Sequence, residues 1–130
     1  MRTGLIGRKL SHSYSPYIHS FFGDYSYALF EREPDELKAL LDQEDIRGFN
    51  VTIPYKKEVI KYLDDLSPIA QRLGAVNTIV RTPDGRLFGH NTDHYGFHQL
   101  LNKSCIDVSD KKVLVLGSGG ASKTVIDVLK

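Results

Sequence analysis

Short apolar runs alternate along the chain with stretches whose apolar residues recur at helical spacing, and this rhythm predicts an α/β protein. Residues 3–7 read as a first strand leading into a polar loop. Ser15 before Pro16 looks like a helix cap followed by a proline at the first helical position, opening a helix to about Phe22. Residues 25–31 read as a second strand, and 34–41 as a helix with an acidic first turn. Residues 47–53 form the third predicted strand, followed by a helix over 55–63 that gathers Val59, Ile60 and Leu63 on one side. Ser67-Pro68 starts another short helix ending near Gly74. Runs 76–81 and 86–91 flank Pro83-Asp84-Gly85, a good hairpin turn. Residues 93–102 read as helix, 113–116 as a strand running into a glycine loop, and 121–130 as the start of a last helix. The expected architecture is a mostly parallel sheet flanked by helices, the hairpin supplying an antiparallel edge.

That last helix reaches Lys130 with no cap and no following strand, whereas a complete βαβ unit takes about 30 residues or more. Residues 1–104 are therefore expected to form one domain. Residues 105–130 are expected to be the first strand and helix start of a second, cofactor-binding domain that is cut off. The alternative, that the strand 113–116 completes the first sheet, stays open.

Composition narrows the class. With 130 residues, 41% hydrophobic and 25% charged, the chain has the balance of a soluble globular protein. A net charge of +1 gives no case for nucleic acid or an anionic membrane as partner. Cys105 stands alone, which rules out a disulfide framework and suits a reducing, cytoplasmic compartment. It is expected to be a partly buried small residue. The N-terminal run lacks the apolar core of a signal peptide, and no run is long enough to span a bilayer.

The candidate chemistry sits where predicted strands end. In Asn50-Val51-Thr52-Ile53-Pro54-Tyr55-Lys56 the strand stops at a proline, which delivers Thr52 and Lys56 to the end where open α/β sheets hold ligands. Asp93 opens a helix after Asn91-Thr92. Reducing a ketone by hydride creates an alkoxide that needs a proton; a lysine ammonium can donate it while a carboxylate orients the lysine. Plainer roles compete: a solvated helix-start lysine for Lys56, and an N-cap for Asp93. Ser15 with Pro16 behind it marks a helix N-terminus suited to an anion, which Ser13 and Ser15 could both hydrogen-bond. Simple capping explains Ser15 and leaves Ser13 without a role. Gly117-Ser118-Gly119-Gly120-Ala121-Ser122 fits a dinucleotide turn, and with Lys123-Thr124 it nearly spells a P-loop, but Ser122 stands where that loop demands glycine. His90, His94 and His98 recur every four residues, yet two imidazoles on a helix without a third ligand make a poor zinc site, so no metal is expected.

Ser13-Tyr14-Ser15-Pro16, Asn50-Val51-Thr52-Ile53-Pro54-Tyr55-Lys56, Gly74-Ala75-Val76-Asn77-Thr78, Asn91-Thr92-Asp93 and the glycine loop occur together and in order. In this the chain resembles the shikimate dehydrogenases, along its whole length. The resemblance implies a substrate domain followed by a Rossmann-type NADP-binding domain, and reversible, NADP-dependent reduction of 3-dehydroshikimate to shikimate on the route to aromatic amino acids. It implies Lys56 and Asp93 as the catalytic pair, and Ser13 and Ser15 as ligands of the substrate carboxylate. Thr52, Asn77 and Asp93 would join Lys56 in holding the ring hydroxyls. Gly117, Ser118, Gly119, Gly120 and Ala121 would carry the cofactor phosphates. Lys9, Ser20 and His94 depart from the usual family pattern, at positions where proline, asparagine and glycine are frequent. A quinate-accepting relative, a shikimate-binding module without turnover and a P-loop phosphotransferase stay open as alternatives, as does a homodimer as the assembly.

Overall fold

The computed structural model describes residues 1–130. Six strands form: β1 (Arg2–Gly7), β2 (Ser26–Glu31), β3 (Ile46–Val51), β4 (Asp65–Leu66), β5 (Thr78–Arg81) and β6 (Leu87–His90). Around them lie α1 (Ser15–His19), α2 (Leu37–Leu41), α3 (Pro68–Leu73), α4 (Asp93–Lys103) and α5 (Gly120–Val128), with 3₁₀ turns at Pro34–Glu36 and Glu58–Tyr62. The strands make one sheet in the order β2-β1-β3-β5-β6-β4. β1 pairs in parallel with both β2 and β3, and β4 pairs in parallel with β6. β5 runs against both of its neighbours, so it alone is reversed.

This order corrects the expected place of the hairpin. β5 and β6 lie inside the sheet, and the edge belongs to the two-residue β4. The physical cause is Asp64, whose amide donates to the Leu87 carbonyl at 2.9 Å and whose carboxylate accepts the Leu87 amide at 2.7 Å, zipping the chain before β4 onto β6. Inside the sheet, β5 buries Ile79 together with Arg81. The Arg81 guanidinium is spent on backbone carbonyls: Ile46 at 3.1 Å, Gly85 at 3.0 Å, Gln43 at 3.2 Å, and Leu41. Buried charge is tolerable there because every guanidinium nitrogen meets an acceptor.

One face of the sheet carries the core. Ile6, Phe30, Phe49, Val51, Ile79 and Leu87 pack against Leu37, Leu40 and Leu41 of α2, Val59 of the 3₁₀ turn and Ala70 of α3. Full burial of each large aliphatic side chain contributes roughly 1.5–3 kcal/mol. The predicted helix over 55–63 shortens to the 3₁₀ turn Glu58–Tyr62. Tyr55 and Val59, both fully buried, are drawn inward, while Lys57 and Glu58 stay outside. Tyr55 also anchors its hydroxyl on the Arg32 carbonyl at 2.5 Å. α3 closes on Gly74, which takes the left-handed conformation (φ 59°) that a helix end favours in glycine.

Two further expectations change. Residues 113–116, read as a strand, join no ladder, and Leu114 and Leu116 are 82% and 87% exposed. They stand outside the sheet, which holds β1 to β6. An apolar run becomes a strand only beside a neighbour that takes its backbone hydrogen bonds. Cys105 is exposed, not partly buried, at a positive φ of 55° just past α4.

Candidate functional site

Because β2 and β3 flank β1 on opposite sides, the chain reverses direction of travel across the sheet there, and a crevice opens beyond the carboxyl ends of β1 and β3. β6 points the same way as β3, and β5 begins where β6 ends, with Thr78 paired to Asn50 on one side and His90 on the other. The loops after β1, β3 and β6 and the residues before β5 therefore meet at one sheet edge. These carry Ser13 and Ser15, Thr52 and Lys56, Asp93, and Asn77. All six line one open cavity of about 690 Å³, together with Lys9, His12 and Asn50 among others.

Local structure explains each placement. Gly7 ends β1 with no room for a side chain: a Cβ there would stand 2.5 Å from Leu10 Cδ2 and 2.8 Å from Thr52 Cγ2. The loop that follows is fixed by the Glu31 carboxylate, which accepts the Leu10 amide at 2.6 Å, and by the Ser13 amide, which donates to the Leu10 carbonyl at 2.9 Å. Ser15 is not the cap of α1 but its first residue, and Tyr14 precedes it without a side-chain cap. Ser13 takes the structural role instead: its Oγ accepts the Ser15 amide at 3.2 Å and its hydroxyl donates to Ser15 Oγ at 3.1 Å. The Ser15 hydroxyl proton can then serve a ligand.

Lys56 Nζ donates to Asp93 Oδ2 at 2.5 Å, with side chains 21% and 38% exposed. The pair is thus partly desolvated yet open to the cavity. Asp93 is the first residue of α4 and not its cap, which is Thr92; one residue earlier, Asn91 Oδ1 accepts the His94 amide at 3.3 Å, while its side-chain amide donates to the buried Ala75 carbonyl at 3.0 Å. The carboxylate is left for Lys56. Asn77 holds the same turn from the other side: its Oδ1 accepts the Thr92 amide at 2.9 Å and its Nδ2 donates to Thr92 Oγ1 at 2.9 Å. Thr92 and Asn91 set the position of Asp93, a task that sequence reasoning did not assign, although both lie in the Asn-Thr-Asp run it singled out.

A second group escaped the sequence reading. Tyr27 donates its hydroxyl to Asn50 Oδ1 at 2.7 Å and stacks on the His19 ring at 3.8 Å, backing the cavity wall beside Ser15. Burial pushes the Tyr27 phenol up to about 12, opposed by the Ser15 hydroxyl. Only Asn50 gave a sequence signal, by lying in the strand-end motif.

The glycine loop reaches the site through α5. Gly120 and Ala121 line a cavity of about 320 Å³ with Lys56, and Ala121 and Thr124 line another of about 410 Å³ with Lys56, Thr92 and Asp93. Gly117, Ser118 and Gly119 are exposed ahead of it. α5 has no side-chain cap, so its first amides are open, and the buried Thr124 Oγ1 has no hydrogen-bond partner. A Cβ on Gly120 would come within 3.9 Å of Lys56 Cδ. Open amides, close backbone approach and an unspent hydroxyl fit a phosphate-bearing cofactor. The far end of α5 is clamped: Asp127 accepts three bonds from Arg72 of α3, at 3.1, 3.3 and 2.8 Å, and lies 3.0 Å from His94 Nε2 of α4. Chiefly Arg72, and then His94, hold the Asp127 carboxyl below the usual range. His98 lies beside Asn102, and no three potential metal-binding side chains cluster anywhere.

Known proteins are similar to this chain in sequence and fold. A shikimate dehydrogenase (NADP(+)) of Clostridium beijerinckii is 49% identical over 134 residues, covering 97% of this chain and 49% of its own. The crystal structure of shikimate dehydrogenase 1 from Peptoclostridium difficile superposes with a TM-score of 0.90 at 40% identity, over 98% of this chain and 50% of that one. The Thermus thermophilus enzyme in complex with NADP(H) and shikimate gives 0.90 at 38% identity, over 99% and 51%. The chain thus spans about half the length of the relatives it matches. Residues 5–79, the stretch from β1 to β5 that builds most of the cavity, match the shikimate dehydrogenase substrate binding domain, and the chain belongs to that family.

Proposed function

We propose that this chain is the substrate-binding part of an NADP-dependent shikimate dehydrogenase, a cytoplasmic enzyme of amino-acid biosynthesis. Residues 105–130 would open its Rossmann-type cofactor domain. The observation that carries the reading is the Lys56–Asp93 pair at 2.5 Å inside a cavity that also gathers Ser13, Ser15, Thr52 and Asn77. The Ser15 hydroxyl, set by Ser13, donates to the substrate carboxylate. Thr52 and Asn77 contact the ring hydroxyls, with Asn77 also fixing Thr92. NADPH, when bound along Gly117–Ala121, supplies the hydride. Lys56 Nζ–H then gives its proton to the oxygen that becomes the alcohol, and takes it back in the reverse direction. Asp93 keeps the ammonium aimed and charged until that transfer, which leaves Lys56 a neutral amine. Open cavity walls let water return the proton to Lys56.

The test is nicotinamide absorbance on the longest reading frame that contains this chain, with shikimate or quinate and NADP or NAD. Shikimate- and NADP-dependent turnover that collapses in Lys56→Ala is the expected result. A folded protein with no turnover on any pair would sink the dehydrogenase reading, and turnover with quinate alone would move the chain to the quinate-accepting relatives.

A further inference from the structure

The charges around the cavity do not balance, and one lysine accounts for the excess. Four lining residues can carry charge: Lys9, His12, Lys56 and Asp93. Lys56 and Asp93 neutralise each other at 2.5 Å. In the loop after β1 the other charges are also engaged, with Arg8 on Glu33 at 2.7 Å and the Glu31 carboxylate on the Leu10 amide at 2.6 Å. Lys9 belongs to none of the seven ion pairs of the chain and donates to no protein acceptor. It lines the same cavity as Ser13 and Ser15, four and six residues further along that loop. The Ser15 hydroxyl, set by Ser13, is a neutral donor, which binds a carboxylate or an ester carbonyl with limited discrimination. A free ammonium on a flexible stem distinguishes the two by charge.

We propose that Lys9 is a specificity-determining residue, whose uncompensated ammonium selects the anionic acid over neutral derivatives at the Ser13–Ser15 end of the cavity. This rests on the reading that the cavity takes a shikimate-like acid. Lys9 is exposed, so its contribution is small and screened by salt. Its effect falls on binding and leaves the proton transfer at Lys56 untouched.

Calorimetric titration of the longest reading frame with shikimate and with its uncharged methyl ester tests this, on the native protein, Lys9→Gln and Lys9→Arg. Lys9→Gln should raise the shikimate Kd about two- to fivefold at low salt, the size of an exposed ion pair, and leave the ester Kd unchanged. Lys9→Arg should keep the native preference, and about 0.5 M salt should erase the difference between native and Lys9→Gln. Equal weakening of acid and ester, or no change for the acid, overturns the role of Lys9 while the substrate reading stands. Native protein that binds neither compound overturns both.

Discussion

Leu40, Ile79 and Val51 are fully buried between sheet and helices, while Leu114 and Leu116, in a run at least as apolar, stand 82% and 87% exposed. The two regions are held together differently. The sheet unit rests on shared apolar burial and on ladders that use up the backbone polar groups. α5 rests on α4 and α3 through a partly exposed carboxylate, Asp127, and its two basic partners. The difference teaches that apolar sequence supplies stability only where neighbouring elements close over it. It also shows the site straddling both kinds of support, since Lys56 and Asp93 belong to the first and Gly120 and Ala121 to the second.

The sharpest probe of that division is Asp93→Asn on the longest reading frame. It removes the charge that aims Lys56 but no core contact, so kcat should fall about 10²- to 10⁴-fold with the melting temperature nearly unchanged. A loss under tenfold would reduce Asp93 to a structural residue. Next comes a matched pair of side-chain truncations in the 130-residue chain, read by urea unfolding. Leu40→Ala should cost about 2–5 kcal/mol, whereas Leu116→Ala should stay within about 0.5 kcal/mol. Similar costs at both positions would mean that the run 113–116 is covered in solution.

The two regions should also fail at opposite ends of the pH scale. In the sheet unit, the raised Tyr27 phenol favours the folded state while it stays protonated. That contribution is complete below the unfolded value near 10 and disappears as pH rises toward about 12. Absorbance titration should show Tyr27 and the buried Tyr55, whose phenol burial also raises, lagging behind the exposed tyrosines, and Tyr27→Phe should shrink that late step; all seven tyrosines ionising together near 10 would contradict it. At α5 the lowered Asp127 carboxyl works in the other direction. Its contribution is present above the unfolded value of about 3.9 and fades as pH falls through the folded one. Amide exchange of α5 should therefore speed up in acid ahead of the sheet, and Asp127→Asn should bring the faster exchange to neutral pH. This is the smallest effect of the set, because the pair with Arg72 is solvent-facing.

Much of the site could be read from residue type and position. A strand ending at Thr52-Ile53-Pro54 put Lys56 at a carboxyl edge, and a helix opening after Asn91-Thr92 put Asp93 at another. What stayed hidden depended on long-range partners. Asn77 and Thr92 lie fifteen residues apart and form three direct hydrogen bonds between them with no local signature. Tyr27 reaches Asn50 from a different strand. Ser13 and Ser15 could be named but not told apart, since which hydroxyl folds the loop depends on backbone geometry.

By itself the sequence determined the alternation of strand and helix, the turn residues that end them and the chemical groups at those ends, because propensity, proline and glycine act within a few residues. Only the tertiary structure decided that the hairpin lies inside the sheet, that residues 113–116 find no ladder and that Asn91, not Asp93, takes the His94 amide at the start of α4. Each of those outcomes turns on which distant backbone or side chain arrives to take a hydrogen bond, and local sequence does not encode that partner.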